Sequence, residues 1–477
     1  MRKKFDIQYQ LGTTPIERLE LPLDSRDELP PVLRALQYIY TDDELNEKVF
    51  SFLENKVTCG LKRTGRPGMS LWEILVFATI RLALDCDYDR LQHIANYDSL
   101  VRSFLGIPNF GENLKRYSLQ SLKDNIRLLD EQTINQISQL VAYAGHQLLN
   151  VGQDDQQLDV KVDSYVLETN VHFPTDLNLL WDAARKCVKL TAQLSNHLCF
   201  SGWRQYKRWL RQLKRAYHRA AKKTQGKGKT TASGLETVLD YLQLCKRLSD
   251  KLNQMLSQLA NLINTDGYPN RKLEQLYYFK EQLDKQIELV RRRLIYKQAI
   301  PHQDKVFSLF EPYTRWIKRG KTRAEVELGL PIAVATDQYG FILDHYVMEK
   351  QVDAHIAVSF SEQILAQWAL NSLSFDKGFW SPQNYLQLKD KVAHLIMPKK
   401  GRLSQTDKQR QQNKQFKQLQ RYHAAIESDI NCLEHHGLNR CPDKGLTGFK
   451  RYAALGILAY NLHKLGNILL AAQRKAA

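Results

Sequence analysis

No apolar run in this 477-residue chain approaches the ~18 residues needed to span a bilayer, so a helical membrane protein is not expected. The basic start Met1-Arg2-Lys3-Lys4-Phe5-Asp6 is not followed by the apolar stretch of a secretory signal. Cysteine is scarce: the seven are scattered and odd in number, which argues against a disulfide framework and for reduced thiols in the cytoplasm. No glycine-rich phosphate loop of the Walker type occurs, so a nucleotide cofactor is not expected. There is no internal repeat. Acid is missing over one long stretch, since no Asp or Glu interrupts residues 201 to 230.

What is abundant is positive charge. Lys and Arg number 69 against 51 Asp and Glu, giving a net charge of +18 and a pI near 9.4. Such an excess attracts polyanions through counterion release, and nucleic acid is the leading partner. With 43% hydrophobic residues the chain buries real cores, and its length calls for two or three domains.

Residues 1–150 read as a helical domain. The loop Lys62-Arg63-Thr64-Gly65-Arg66-Pro67-Gly68 leads to Ser70, with Glu73 three residues on as in a capping box. Leu71, Ile74, Leu75, Ala78 and Leu82 follow at helical spacing. Arg63 and Arg66 are expected to be exposed on the loop, where they could reach DNA.

Period-two alternation begins at Leu158 and ends near Asn178, where a long helical segment takes over to about Tyr296. A span of that length is a helical insertion, placed at residues 185–305. Strand patterns resume at Val326–Ala335 and Phe341–Met348, with Asp337-Gln338-Tyr339-Gly340 as a hairpin turn between them. A helix from Ala354 to Ala369, a short strand before Asp376, a helix near Pro382 and a strand over Val392–Met397 follow. The end is helical through Glu427 and again from Leu446, so residues 446–477 form a C-terminal helix. The fold class expected is a mixed α+β and α/β chain. Residues 151–184 and 306–445 make a ribonuclease-H-like core, because strand, strand, strand, helix, strand, helix, strand, helix is its connectivity.

Three carboxylates sit at informative places in this order: Asp163 on the first strand, Asp376 at the end of the fourth and Glu427 on the late helix. Cutting a phosphodiester requires an activated water and a stabilised leaving oxygen. Two Mg²⁺ or Mn²⁺ ions held by a few carboxylates supply both. The same acids placed singly would read as surface and turn residues.

The surrounding blocks resemble a family. Asp163-Ser164-Tyr165-Val166-Leu167-Glu168-Thr169-Asn170-Val171-His172-Phe173-Pro174-Thr175-Asp176 with Leu179-Leu180-Trp181-Asp182 resembles the first catalytic block of bacterial insertion-sequence DDE transposases, in the group left as "not classified yet". Phe375-Asp376-Lys377-Gly378-Phe379 resembles their second block. His423 to Glu427, continued through Glu434-His435-His436-Gly437-Leu438-Asn439-Arg440-Cys441-Pro442-Asp443-Lys444-Gly445, resembles the third. Gly65-Arg66-Pro67 and Leu100-Val101-Arg102-Ser103-Phe104-Leu105-Gly106 look like their N-terminal domain.

The resemblance implies a nucleoid-associated enzyme that binds its element's terminal inverted repeats and nicks the DNA ends. It would then join the 3′-hydroxyl to target DNA, acting as a homodimer on double-stranded DNA. Asp163, Asp376 and Glu427 would be the catalytic and metal-binding triad. The rival is a DNA-binding repressor or domesticated protein that no longer needs the triad. One departure stands out. Relatives carry Tyr, Arg, Glu and Lys around the third acid, at offsets where this chain has Gln420, His423, Glu427 and Glu434. His423 retains a donor for phosphate, while Glu434 lacks the lysine contact.

The insertion opens with Arg204, Lys207, Arg208, Arg211, Lys214, Arg215, Arg219 and Lys222 at three- and four-residue spacing. Beside them runs a stripe of Trp203, Tyr206, Leu210, Leu213 and Tyr217. Without acids to neutralise it, such a face is expected to contact phosphates, which position a protein without reading sequence. Arg315, Lys318, Arg319, Lys321 and Arg323 form a second cluster, and Lys399, Lys400 and Arg402 a third beside the last strand. Cys432, His435, His436 and Cys441 invite a zinc reading, but their spacing fits no standard finger and helix packing explains them better. Pro174-Thr175-Asp176 is expected to cap the helix that follows the first acid.

Overall fold

The structure is a computed structural model. It describes residues 2–5, 13–59, 68–110, 114–149, 157–198, 201–224, 231–259, 268–318 and 326–476. Seven helices come first: α1 (Leu29–Thr41), α2 (Asp43–Val57), α3 (Leu71–Ala83), α4 (Tyr88–Tyr97), α5 (Ser99–Phe104), α6 (Leu119–Ile126) and α7 (Glu131–Leu148). Strand β1 (Leu158–Thr169) precedes helices α8 (Asp176–His197), α9 (Tyr206–Thr224), α10 (Ala232–Leu259) and α11 (Tyr268–Val290). Then come β2 (Arg315–Lys318), β3 (Val326–Thr336), β4 (Ile342–Val347), α12 (Asp353–Leu365), β5 (Leu370–Phe375), α13 (Pro382–Leu388) and β6 (His394–Ile396). Helices α14 (Gln405–Gln412), α15 (Lys414–His423) and α16 (Ile426–Leu433), strand β7 (Arg440–Cys441) and helix α17 (Leu446–Ala476) complete the chain.

The chain divides into two compact units, Met1–Asn170 with Ile317–Ala477 and Val171–Trp316. The helices of residues 1–150 therefore share the first unit with the sheet strands and with α17. The second unit is wider than the expected insertion at both ends. Its core takes in Leu177, Leu180, Ala183 and Ala184 from the start of α8 and Leu309 near its close.

The architecture is mixed α/β and mostly helical, around one mixed seven-stranded sheet. β1 is the middle of it. It runs antiparallel to β3, with Asp163 opposite Val334, and parallel to β5, with Val162 opposite Phe375. β4 lies antiparallel to β3, β6 parallel to β5, and β7 parallel to the last residues of β1. The hairpin expected at Asp337–Gly340 is present: the Asp337 carboxylate accepts from the backbone N–H of Tyr339 and Phe341 at 2.8 and 2.9 Å.

The helical layer of the first unit is built on α17. From Tyr452 to Leu462 this helix is buried on every side, as befits a helix that is apolar all round. It packs against α1, α3 and α7. Its one fully buried amide, Asn461, is satisfied by Ser138 Oγ at 2.9 Å and by both backbone groups of Ile342 at 2.8 and 2.9 Å. Helix α7 is tied to the hairpin by His146 Nε2 and Asp337 Oδ2, 2.5 Å apart and buried. Gly145, beside His146, is where the Phe341 ring enters, since a Cβ there would stand 2.2 Å from it. At the start of α3, Ser70 and Glu73 form the reciprocal capping box read from the sequence.

In the second unit, α8 to α11 enclose their own core of Leu180, Val188, Leu213, Tyr241, Leu248, Leu283 and their neighbours. Thr175 caps α8, accepting from the Asn178 N–H at 3.2 Å, as Pro174-Thr175-Asp176 led one to expect. No helix among the described residues is long and apolar enough to cross a membrane.

Candidate active site

β1 alternates, so Asp159, Lys161, Asp163 and Tyr165 share one face while Val160, Val162 and Ser164 share the other. Parallel pairing in register puts Ser372 beside Asp159 and Ser374 beside Lys161. Val162 pairs with Phe375, and the backbone of Asp376 is still extended at φ −73°, ψ 164°. Asp163 and Asp376 are each the next residue after this pair, Asp376 lying just past the end of β5. Asp163 is half-buried and Asp376 exposed. Asp163 Oδ1 accepts from the Ser164 N–H at 2.7 Å, which fixes its rotamer against the strand.

Helices α15 and α16 cross this face. His423 Nδ1 meets Ser374 Oγ at 3.0 Å, and Gln415 reaches His394 of β6 at 2.7 Å. Lys161, only 3% exposed, is paired with Asp429 of α16 at 3.3 Å and lies under the Tyr422 ring, 4.9 Å from its centroid. Ala424 and Ala425, between the two helices, keep right-handed helical angles, so His423, Glu427 and Glu434 follow one stripe. The stripe starts over Ser374 and ends at Glu434, whose charge acts on Tyr165. Glu427 lies between these anchors along the chain. Its side chain is exposed.

The helix stops at His436 and Gly437, the latter at φ +83° where a side chain is strained. The chain then turns into β7, against the end of β1. Beyond it, Asp443 is buried between Arg81 Nη2 at 2.7 Å and Arg451 Nη2 at 3.3 Å, joining α3, the segment after β7 and α17.

The electrostatics of the face are uneven. Burial, opposed by Asp376 and reinforced by Lys161, lowers the His423 pKa to about 4. The imidazole is therefore neutral at pH 7 and holds α15 on β5 through Ser374. Burial first, and then Asp337, Asp159 and Asp429, push Tyr422 up to about 12.

A divalent ion suits part of this arrangement. Asp163 on β1 and Asp376 just after β5 offer oxygen donors only, as Mg²⁺ or Mn²⁺ prefers. Among the described residues no group of three or more His, Cys, Asp or Glu is gathered to hold a metal ion, so Glu427 is not drawn into the pair.

The other expected residues separate into clear cases. Arg204, Lys207, Arg208, Arg211, Lys214 and Arg215 are exposed on or just before α9, while Trp203, Tyr206, Leu210, Leu213 and Tyr217 pack into the second unit's core. Lys399 is committed to Asp407 at 2.6 Å, whereas Lys400 is exposed. Arg63, Arg66, Arg319, Lys321 and Arg323 lie outside the described residues. Of the zinc candidates, Cys432 is exposed, Cys441 buried, and His436 turns to Glu28 at 3.1 Å.

Three features escaped the sequence reading. Lys161 had a usable signal, being a charge two residues before Asp163 on the same face of a buried strand. Asp353 at the start of α12 accepts from Ser164 Oγ at 2.7 Å, and a Cβ on Gly378 would stand 2.8 Å from its Oδ2. It thus braces the residue after Asp163 and the turn after Asp376 together. The Arg81–Asp443–Arg451 cluster joins residues hundreds of positions apart and leaves no local trace.

Comparison with known proteins returns no matching family model, no matching curated protein and no matching solved structure.

Proposed function

We propose that this chain is a metal-dependent DNA transposase of the DDE type. It would nick DNA at the ends of its element and join the freed 3′-hydroxyl to a target duplex. The observation that carries the reading is the parallel pairing of β1 with β5, Val162 opposite Phe375, with Asp163 and Asp376 the next residue on each chain segment. The strand order β4-β3-β1-β5-β6 supports a ribonuclease-H-like core, with β3 antiparallel to β1 and β5 and β6 parallel to it.

Asp163 and Asp376 would hold Mg²⁺ or Mn²⁺, with Glu427 completing the set from α16. Bound there, the ions supply an activated water and charge neutralisation at the leaving oxygen. The protein's own contribution is placement. Lys161 and Asp429 pin α16 to the sheet and so set the approach of Glu427, His423 fixes α15, and Asp353 braces the turn that follows Asp376. Two DNA ends must be brought together for joining, so a homodimer assembled on DNA is part of the proposal.

The test is nicking and joining in vitro with Mg²⁺ and a duplex bearing the element's ends. Asp163→Asn and Asp376→Asn each lower nicking by about 10³-fold or more while end binding persists. Nicking that survives both substitutions sinks the assignment. A wild-type protein that binds the ends and never cuts them favours the repressor reading.

A further inference from the structure

The geometry points to the outer face of α9 as a sequence-independent track for the phosphate backbone of double-stranded DNA. The proposal rests on the reading above only in taking DNA as the substrate; its evidence lies wholly within the second unit.

The two faces of α9 are cleanly divided. At 100° per residue, its basic side chains from Lys207 to Lys222 occupy an arc of roughly 140°. Trp209, Leu210, Leu213, Ala216, Tyr217 and Ala220 occupy the opposite side and pack into the core, with Leu213 and Ala220 fully buried. The basic side chains are exposed, and among the described residues none of them is in an ion pair.

The rest of the unit treats its cations differently. Arg185 pairs with Asp182 at 2.8 Å, Lys246 with Asp250 at 3.0 Å and Arg293 with Asp176 at 3.0 Å, while Lys280 pairs with Asp284. A unit that has acids among the cations of its other helices, and none on this face, holds that face against its own repulsion. A polyanion relieves this.

The chemistry selects among polyanions. Single strands are gripped by aromatic stacking as well as charge, but Trp209 and Tyr217 are turned inward, and Tyr217 stacks on Trp181 at 6.0 Å. An anionic membrane would need the apolar face of the helix, which the core already occupies. Duplex phosphates need only the cations. From Lys207 to Lys222 the helix runs about 22 Å, longer than the ~12 Å major groove is wide, so cations near its two ends reach phosphates on both sides.

The experiment measures binding of the full chain to labelled 30-base-pair duplexes of two unrelated sequences, in EDTA so that no cutting occurs, across 50–300 mM KCl. A variant with Lys207→Gln, Arg208→Gln, Arg211→Gln and Arg215→Gln is compared with wild type and with a control carrying Arg247→Gln and Lys285→Gln on α10 and α11. Each phosphate contact contributes about 0.9 to the slope of log K against log salt. The α9 variant is expected to lose about 3.6 from that slope on both sequences, and the control less than about 0.5. Single Arg211→Gln and Arg215→Gln proteins, each losing about 1, carry the test if the fourfold variant does not fold.

An unchanged slope overturns the proposal, and so does an equal loss per charge in the control. A loss confined to single-stranded DNA, or to phosphatidylserine vesicles, overturns it equally. Asp163→Asn protein keeps the full slope. A chain that never nicks but loses slope through α9 retains the track and loses the enzyme reading; a chain that nicks with its slope intact does the reverse.

Discussion

The sheet face of the first unit and the outer face of α9 handle charge in opposite ways. In the first unit these buried charges are matched, Lys161 to Asp429 and Asp443 to both Arg81 and Arg451, and the neutral His423 meets Ser374. On α9 the cations from Lys207 to Lys222 are exposed and, among the described residues, in no ion pair. The difference follows from where the groups sit. A buried charge without a partner costs several kcal/mol, so the interior admits only matched or neutral groups. An exposed cation costs little by itself, and a row of them is tolerated when something outside answers it. Internal matching builds a rigid platform for Asp163 and Asp376, and external mismatch leaves a surface free to bind.

The contrast breaks most visibly at Asp443. Asp443→Ala leaves two buried guanidinium groups without their shared acid and is expected to destabilise the first unit by about 3–5 kcal/mol. Chemical denaturation measures it; a loss below ~1 kcal/mol would mean that water reaches the cluster.

A smaller effect comes from His423. Its folded pKa lies near 4 against the ordinary 6.5, so below pH 6.5 the unfolded chain takes up a proton that the folded chain refuses. Stability from this group is complete above about pH 6.5 and declines as pH falls toward 4, by on the order of 3 kcal/mol. His463, also lowered to about 4 by burial and by the charges of His436 and Lys464, adds in the same direction. Urea midpoints followed over that window should show a shallower pH slope for His423→Gln than for wild type. Parallel curves would remove the imidazole from the account.

The smallest effect sharpens the other side. Neutralising Arg211, Lys214 and Arg215 to Gln should shift stability by less than about 0.5 kcal/mol, because no internal partner is lost. A large destabilisation in thermal melts would show that the face serves the fold.

Much of this was legible in the sequence because it is local. The alternation of β1, the Asp337–Gly340 hairpin, the Ser70–Glu73 capping box and the Thr175 cap each depend on a few consecutive residues. The short strand ahead of Asp376 announced itself in the same way, and it pairs in parallel with β1. What stayed hidden depends on distant residues. Strands β2 and β7 are too short to show a period, and β7 exists because Arg440 and Cys441 find the end of β1. Helix α17 read as a C-terminal appendage, yet it is the core of the helical layer, which only its packing against α1, α3 and α7 reveals. The docking of α16 on β1 likewise follows from the Lys161–Asp429 contact, which the helical pattern around it does not contain.

The central place of β1 has a consequence in time. Its partners lie far downstream: β3 begins at Val326, β5 at Leu370 and β7 at Arg440. At about 5–20 residues per second, synthesis takes on the order of ten to thirty seconds to travel from the end of β1 to the start of β3. During that interval the strand has no mate, while α8 to α11 emerge with local contacts and can condense first. The newborn chain thus carries an unzipped strand, next to a finished helical module, until the remaining strands arrive to close the sheet.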